Sequence, residues 1–309
     1  MDNLAILLLS LLLDAVLGEV KNSLHPVAWL GKLISLQLKF SPQKGIVSQF
    51  IFGIIIVLAT SVVITVPLYC LLLYLHSFNA LLYILLSAYV LKATFSVRGL
   101  WQSVNAVKTH IAEGDIDSAR TTVRALVSRN TATLDSRQVI SASIESCAEN
   151  TCDSFVAPLF YFAIFGLPGA LVYRIINTFD SMIGYHGQWE YIGKFSARVD
   201  DLANFIPARI SALLIIVASG IIRKNIKNAW QTTQQYHTAT ESPNAGWTMS
   251  AMAGSLGIQL EKPEHYRLGH NSRELTCALI SESQEVLLLT ASIWTVLIVT
   301  KEVICLVAT

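Results

Sequence analysis

The sequence predicts an all-α polytopic membrane protein, and three observations carry that reading. Of 309 residues, 53% are hydrophobic and only 14% are charged, against roughly 25% charged in soluble domains. The mean hydropathy is +0.53. Several apolar runs approach or reach the roughly 20 residues that a helix needs to cross a bilayer. Residues 1–309 therefore read as a single integral membrane domain with about five membrane segments and a lipid bilayer as its first partner. The net charge is +1 and the basic residues are scattered, which argues against nucleic acid as a partner. The five cysteines are odd in number and not spaced as CxxC, so they read as reduced, packed thiols.

The elements follow in order. Residues 4–16 are apolar but short, and Asp14 interrupts them, as in a half-span or a tilted helix end. The start of the chain lacks a basic flank and a cleavage signature, so it reads as a retained segment. Residues 49–75 are long enough to span. HSFN at 76–79 reads as a turn, and 79–97, with Lys92 near its end, as the second arm of a helical hairpin. Residues 98–153 form a hydrophilic helical insertion. Within it, Ile116, Ala119, Val123, Leu126 and Val127 recur at helical spacing behind a cap at Asp115. Residues 155–176 are apolar but broken by GLPG at 166–169, a break or a re-entrant turn. The runs at 206–222 and 286–307 complete the set, the last interrupted by Lys301 and Glu302. Lys21, Lys32, Lys39 and Lys44 favour the cytoplasmic side. The hairpin then puts 98–153 there too, and Arg223, Lys224 and Lys227 do the same for 223–285. The expected location is the cell membrane, with multiple passes. The halves do not echo each other, unlike an inverted-repeat transporter.

The stretch ESCAENTCDSFVAPLFY, 145–161, gathers charge at the edge of an apolar run. On a helix, Glu145, Glu149 and Asp153 fall on one face. Such a stripe needs a countercharge, whether a lysine, a metal ion or a metal-bound phosphate. Asn150 sits within it. In NTFDSMIGY, Asn177 and Asp180 are one turn apart and offer hard oxygen ligands, with Gly184 as a helix stop. In SARVDDLANFIPARI, Arg198, Asp201 and Asn204 share a face. Arg174 and Arg209 enter apolar runs and need partners, for which Asp180, Asp200 and Asp201 are candidates. Arginines so placed suit phosphate or carboxylate. SPNAGWTMSAMAGSLG opens with a turn at Asn244 and presents Trp247 as a flat face. His25 precedes a proline and is expected to be extended. No P-loop, dinucleotide fingerprint or GxSxG elbow is present.

Taken together, HPVAWLG, RALVSRNTATLD, ESCAENTCDSFVAPLFY, GLPGALVYRIINTFDSMIGY, SARVDDLANFIPARI and SPNAGWTMSAMAGSLG resemble the adenosylcobinamide-phosphate synthase family of cobalamin biosynthesis, over roughly residues 14–269. The chain departs from the family pattern at Gly18-Glu19-Val20, where Gly-Asp-Pro is usual. It departs again at Arg129-Asn130-Thr131, where Arg-Asp-Thr is usual, and at LEKPEHYRLG, which replaces a Gly-rich segment. The resemblance implies amide formation between a propionate of adenosylcobyric acid, a corrinoid, and aminopropanol phosphate or aminopropanol, with ATP and Mg²⁺. It casts Glu149, Asp180 and Asp201 as catalytic, and Glu145, Glu149 and Asp153 as metal ligands. Asn150, Asn177, Arg198, Asn204, Arg209, Asn244, Trp247 and His25 would bind substrate, with Tyr185 and Trp189 as further walls for the corrin ring. Intramembrane charges also admit another class, a corrinoid transporter or a membrane scaffold without ligase activity.

Overall fold

A computed structural model of the chain describes residues 2–19, 23 and 25–308. Val20 and Lys21, which entered the sequence reading, lie outside the described residues. The first helix, α1 (Asp2–Leu17), is largely apolar after its first turn, with Ser10 and Asp14 buried among the apolar residues. Helix α2 (Pro26–Leu38) starts on a proline, whose missing N–H is no loss in the first turn. His25 is extended as expected, and its Nδ1 accepts from the amide of Val27 at 3.2 Å. Helix α3 (Ile46–Phe78) is 33 residues long. Asn79 alone separates it from α4 (Ala80–Thr94), and its side chain caps α4 by accepting from the amide of Leu82. The expected four-residue turn is thus one residue, and the last helical turn of α3 extends through His76.

The hydrophilic stretch is helical. It holds α5 (Val97–Ala112), α6 (Ile116–Arg124) and α7 (Ser136–Thr151). Asp115 caps α6 through the amide of Ser118, but the helix stops before Leu126 and Val127. Asp135 and Gln138 form a reciprocal capping box on α7. A π turn, Cys152–Val156, joins α7 to α8 (Ala157–Ile183). Helix α8 is kinked at Gly166, which adopts φ 66° and ψ −160° ahead of Pro168. Only glycine takes that conformation at little strain, so the expected break at GLPG is real. Helices α9 (Glu190–Ala203), α10 (Phe205–Ile221), α11 (Ile226–Tyr236) and α12 (Ala245–Leu256) follow. A hairpin of β1 (Gln259–Lys262) and β2 (Tyr266–Gly269) pairs Gln259 with Gly269 and Lys262 with Tyr266, antiparallel. It is the sole departure from helix among the described elements. Helix α13 (Cys277–Ala308) closes the chain.

Four segments, Ile46–Phe78, Ala80–Ala112, Ser136–Ile183 and Cys277–Ala308, are long and apolar enough to cross a membrane, and a fifth exists if Glu190–Ala203 and Phe205–Ile221 form one broken span. The fold is an all-α polytopic membrane protein. In the most apolar window of α3 only 28% of residues are buried, and Val62, Val63 and Val66 are exposed, as lipid contact requires. Cys70 on α3 and Cys305 on α13 are exposed rather than packed, and no disulfide joins any of the five cysteines among the described residues.

The chain divides into two compact units: 1–96 with 157–203 and 298–309, and 97–156 with 204–297. The first unit centres on Leu30, Ile34, Ile56, Val57, Ile175, Phe179, Ile183 and Ile192. The second packs Ile144, Cys147 and Ala148 of α7 against Ala212 and Ile215 of α10, Met252 of α12 and Leu260 and Leu268 of the hairpin. The hydrophilic segment read at 98–153 therefore shares its core with residues 204–297.

Candidate functional site

In the second unit the acidic stripe of α7 is only partly open. Glu145 is 3% exposed. Its carboxylate pairs with Arg129 at 3.2 Å, accepts from the Ser141 hydroxyl at 2.7 Å and accepts from the Tyr266 phenol at 2.8 Å. The Ser141 oxygen in turn accepts from the amide of Glu261 at 2.9 Å. The hairpin is thus latched onto α7 by one carboxylate and one hydroxyl. Burial, and then the charges of Glu145 and Glu149, push the Tyr266 phenol well above its ordinary range, so it stays a donor at physiological pH.

The carboxylates of the expected metal set, Glu145, Glu149 and Asp153, differ in their surroundings in this arrangement. Among the described residues no group of three His, Cys, Asp or Glu side chains is placed to hold a metal ion. Glu145 is saturated by Arg129, Tyr266 and Ser141. Asp153 lies on the π turn that follows α7, beyond the α-helical stretch that holds Glu145 and Glu149. Glu149 and Asp153 are half-buried. Asn150 serves the helix, donating to Ser146 and accepting from Ser154 at 3.1 Å.

A second cluster in the same unit joins Arg209, Asn244 and Trp247, which the sequence could only name one by one. Arg209 Nη1 donates to the Phe205 carbonyl at 2.6 Å and to Asn244 Oδ1 at 3.0 Å. Its guanidinium lies over the Phe205 ring at 3.6 Å and the Trp247 ring at 4.8 Å. His237 packs on Trp247 with ring centroids 4.3 Å apart. Asn204 occupies the break between α9 and α10 and accepts from the Cys152 thiol. Gly246 is needed here because a β-carbon would strike the carbonyl of His237.

In the first unit, Arg174 donates to Asn177 Oδ1 and Asn177 donates to Asp200 Oδ1, each at 3.3 Å. The buried carboxylate of α9 is therefore Asp200. Asp201 is half-buried and Arg198 is exposed. With Asn204 outside α9, the shared face expected of Arg198, Asp201 and Asn204 does not form within one helix. Asp180 sits in the last turn of α8, where its carbonyl accepts from the amide of Gly184, the helix stop read from sequence. Trp189 packs on the Leu30–Ile192 core and Tyr185 is exposed. His25 has both ring nitrogens engaged, one by the cap of α2 and one by Glu19. Lys92, 4% exposed, reaches Asp14 and Glu19 at 3.2 Å each.

Comparison with known proteins decides the family. The family model described as CobD/Cbib protein matches residues 7–287. The chain belongs to the CobD/Cbib family. A relative named cobalamin biosynthesis protein CobD, from Dehalococcoides mccartyi, is 45% identical over 294 residues, covering 95% of this chain and 96% of its own. Proteins named probable cobalamin biosynthesis protein CobD are similar too. That of Methanococcus aeolicus is 39% identical over 86% of this chain and 87% of its own, and that of Methanocaldococcus jannaschii is 37% identical over 87% and 89%. No solved structure matches.

The departures from the family pattern now have physical readings in this CobD/Cbib-family chain. Glu19 keeps the carboxylate expected from aspartate. Burial opposes its charge, but hydrogen bonds from His25 and Ser96 and the charge of Lys92 outweigh it and hold the carboxyl down to about 2. Asn130 accepts from the amide of Ala132 at 3.0 Å, a turn role that aspartate fills equally well. LEKPEHYRLG is the hairpin, and it brings Tyr266 to Glu145. Sequence reasoning missed Tyr266 and the partnership of Arg129. The signal for the former was present in QLEK and YRLG, two short runs flanking a Pro-containing turn.

Proposed function

We propose that the chain acts in cobalamin biosynthesis as an ATP-dependent amide-forming ligase of the cell membrane. It would join a propionate carboxylate of adenosylcobyric acid to the amine of aminopropanol phosphate, or of aminopropanol. Membership in the CobD/Cbib family and the names of the relatives support the pathway. The observation that carries the chemistry is the placement of Glu149. It lies one turn beyond a carboxylate already neutralised by Arg129 and Tyr266, half-buried at the edge of an apolar segment.

A carboxylate is a poor electrophile. In this reading a propionate oxygen attacks the γ-phosphorus of ATP, giving an acyl phosphate and releasing ADP. The amine then forms the C–N bond as inorganic phosphate leaves, and the amine proton passes to a carboxylate. Glu149 is the base we assign, and Asp180 is the alternative in the first unit. Arginines hold phosphate and stabilise developing charge. Mg²⁺ usually takes one or two protein carboxylates plus substrate phosphates, so the half-buried carboxylate of Asp153 would suit an ion carried on the nucleotide, where it would neutralise phosphate charge.

The test is mass spectrometry of the product formed by purified protein from corrinoid acid, amine donor and ATP. A covalent cobinamide product that Glu149→Gln abolishes is expected. Unchanged turnover in Glu149→Gln removes that residue as base. Corrinoid flux into vesicles without any new covalent product overturns the ligase reading in favour of transport.

A further inference from the structure

Arg209 differs from most of the other arginines among the described residues, although Arg174 too is half-buried and donates to an asparagine, Asn177. Arg120, Arg129, Arg137, Arg267 and Arg273 each meet a carboxylate. Arg124 and Arg223 are exposed. Arg209 is half-buried near the start of α10, yet among the described residues it makes no ion pair. It is nonetheless fixed, because Phe205 and Trp247 hold its plane and Nη1 is spent on Asn244 and the Phe205 carbonyl. Its Nε and Nη2 edge makes no hydrogen bond among the described residues.

The partner chosen for it matters. Asn244 stands at the start of α12, where its side chain would ordinarily cap the helix. It makes no such cap, and its oxygen accepts from Arg209 instead. An amide steers the guanidinium without cancelling its charge, which an aspartate would do. The indole N–H of Trp247, whose ring faces the guanidinium, is buried and has no acceptor among the described residues. A rigid, unneutralised guanidinium with one open fork edge matches a tetrahedral oxyanion two oxygens at a time.

We propose that Arg209, oriented by Asn244 and Trp247, is the specificity residue that binds the phosphate group of the amine donor. This rests on the amide-forming reading above. The choice among anions follows from charge. The reacting propionate loses its charge on becoming an amide, so a permanent fork on it would hold back the reaction. The phosphate of the amine donor keeps its charge from substrate to product. A phospholipid headgroup shares that chemistry, because α10 is half of a candidate span.

The experiment is calorimetric binding of aminopropanol phosphate and of aminopropanol to the full chain in phosphatidylcholine nanodiscs, read apart from turnover. Wild type is expected to bind the phosphorylated amine at least about tenfold tighter, as a bidentate charged contact allows. Arg209→Lys keeps the charge but loses the fork, and should erase the preference. Asn244→Asp should erase it too, by pairing the guanidinium internally, while thermal unfolding confirms that both variants fold. A preference that survives in both variants, or is missing from wild type, overturns the proposal. So does loss of binding on adding phosphatidic acid, which assigns the site to lipid, or an Arg209→Lys defect confined to ATP. Wild type that binds as expected but forms no amide would overturn the ligase reading alone.

Discussion

Tyr266 donates its hydroxyl to Glu145 at 2.8 Å, joining a hairpin residue to a helix residue 121 positions earlier in the chain. The contact is the outer half of a network whose inner half is Arg129. Tyr266→Phe removes one donor but leaves Glu145 with Arg129 and Ser141. Loss of a hydrogen bond to a charged group costs about 1.5–3 kcal/mol, and the remaining partners place the expected loss at the low end. Thermal unfolding in detergent reads it. If the hairpin serves the site, amide formation should fall by more than the stability loss explains. An unchanged melting temperature and unchanged turnover would make the contact incidental.

Arg129 is the harsher deletion. Glu145 is buried, and a buried carboxylate without its cation is costly, so Arg129→Met should destabilise by about 3–5 kcal/mol. Arg129→Met combined with Glu145→Gln should recover more than half of that loss, because the second change removes the orphaned charge. A double variant as unstable as the single one would show that Arg129 matters for something other than its pair, such as its contact with the Glu261 carbonyl.

Much of this fold was legible from apolar run length alone. The helices at 46–78, 80–94, 205–221 and 277–308 follow from hydrophobicity, and the kink at Gly166 from Gly-Leu-Pro-Gly. Asp115 was readable as a cap because capping is local. The site was less legible because its contacts are not local. Nothing near Glu145 announces that Tyr266 will reach it, and nothing near Arg209 announces Asn244. The i, i+4, i+8 stripe assumes α-helical register through Asp153, whereas the π turn begins at Cys152, and local spacing does not announce that change. Asp200, not Asp201, is buried and accepts from Asn177 of α8, a contact between helices that the spacing of residues within α9 does not specify.

Acid should probe the cluster at the start of α2. Against the cost of burial, its hydrogen bonds and the nearby Lys92 charge hold the Glu19 carboxyl down to about 2, from an ordinary value of 4.5. A depressed carboxyl contributes stability that is fully present above its unfolded pKa and is lost as pH falls through the folded one. Wild type should therefore exceed Glu19→Gln in melting temperature at neutral pH, and the gap should narrow from about pH 4.5 down towards 2. A gap that is constant over that window would mean that Glu19 packs but does not contribute through its charge.

Glycines set how closely the first unit packs. At Gly53 on α3 an added β-carbon would strike the backbone carbonyl of Ile192 on α9, and backbone cannot swing aside as a side chain does. Gly53→Ala should force the helices apart and cost about 1–3 kcal/mol. Gly31 on α2 is the internal control. A β-carbon there would meet only the Met182 sulfur at 3.7 Å, an ordinary contact. Gly31→Ala should be neutral, or should gain up to about 1 kcal/mol from helix propensity. Thermal melting of the two variants side by side separates packing from propensity: equal losses at both positions would place the effect in the loss of glycine itself, and not in the approach of α3 to α9.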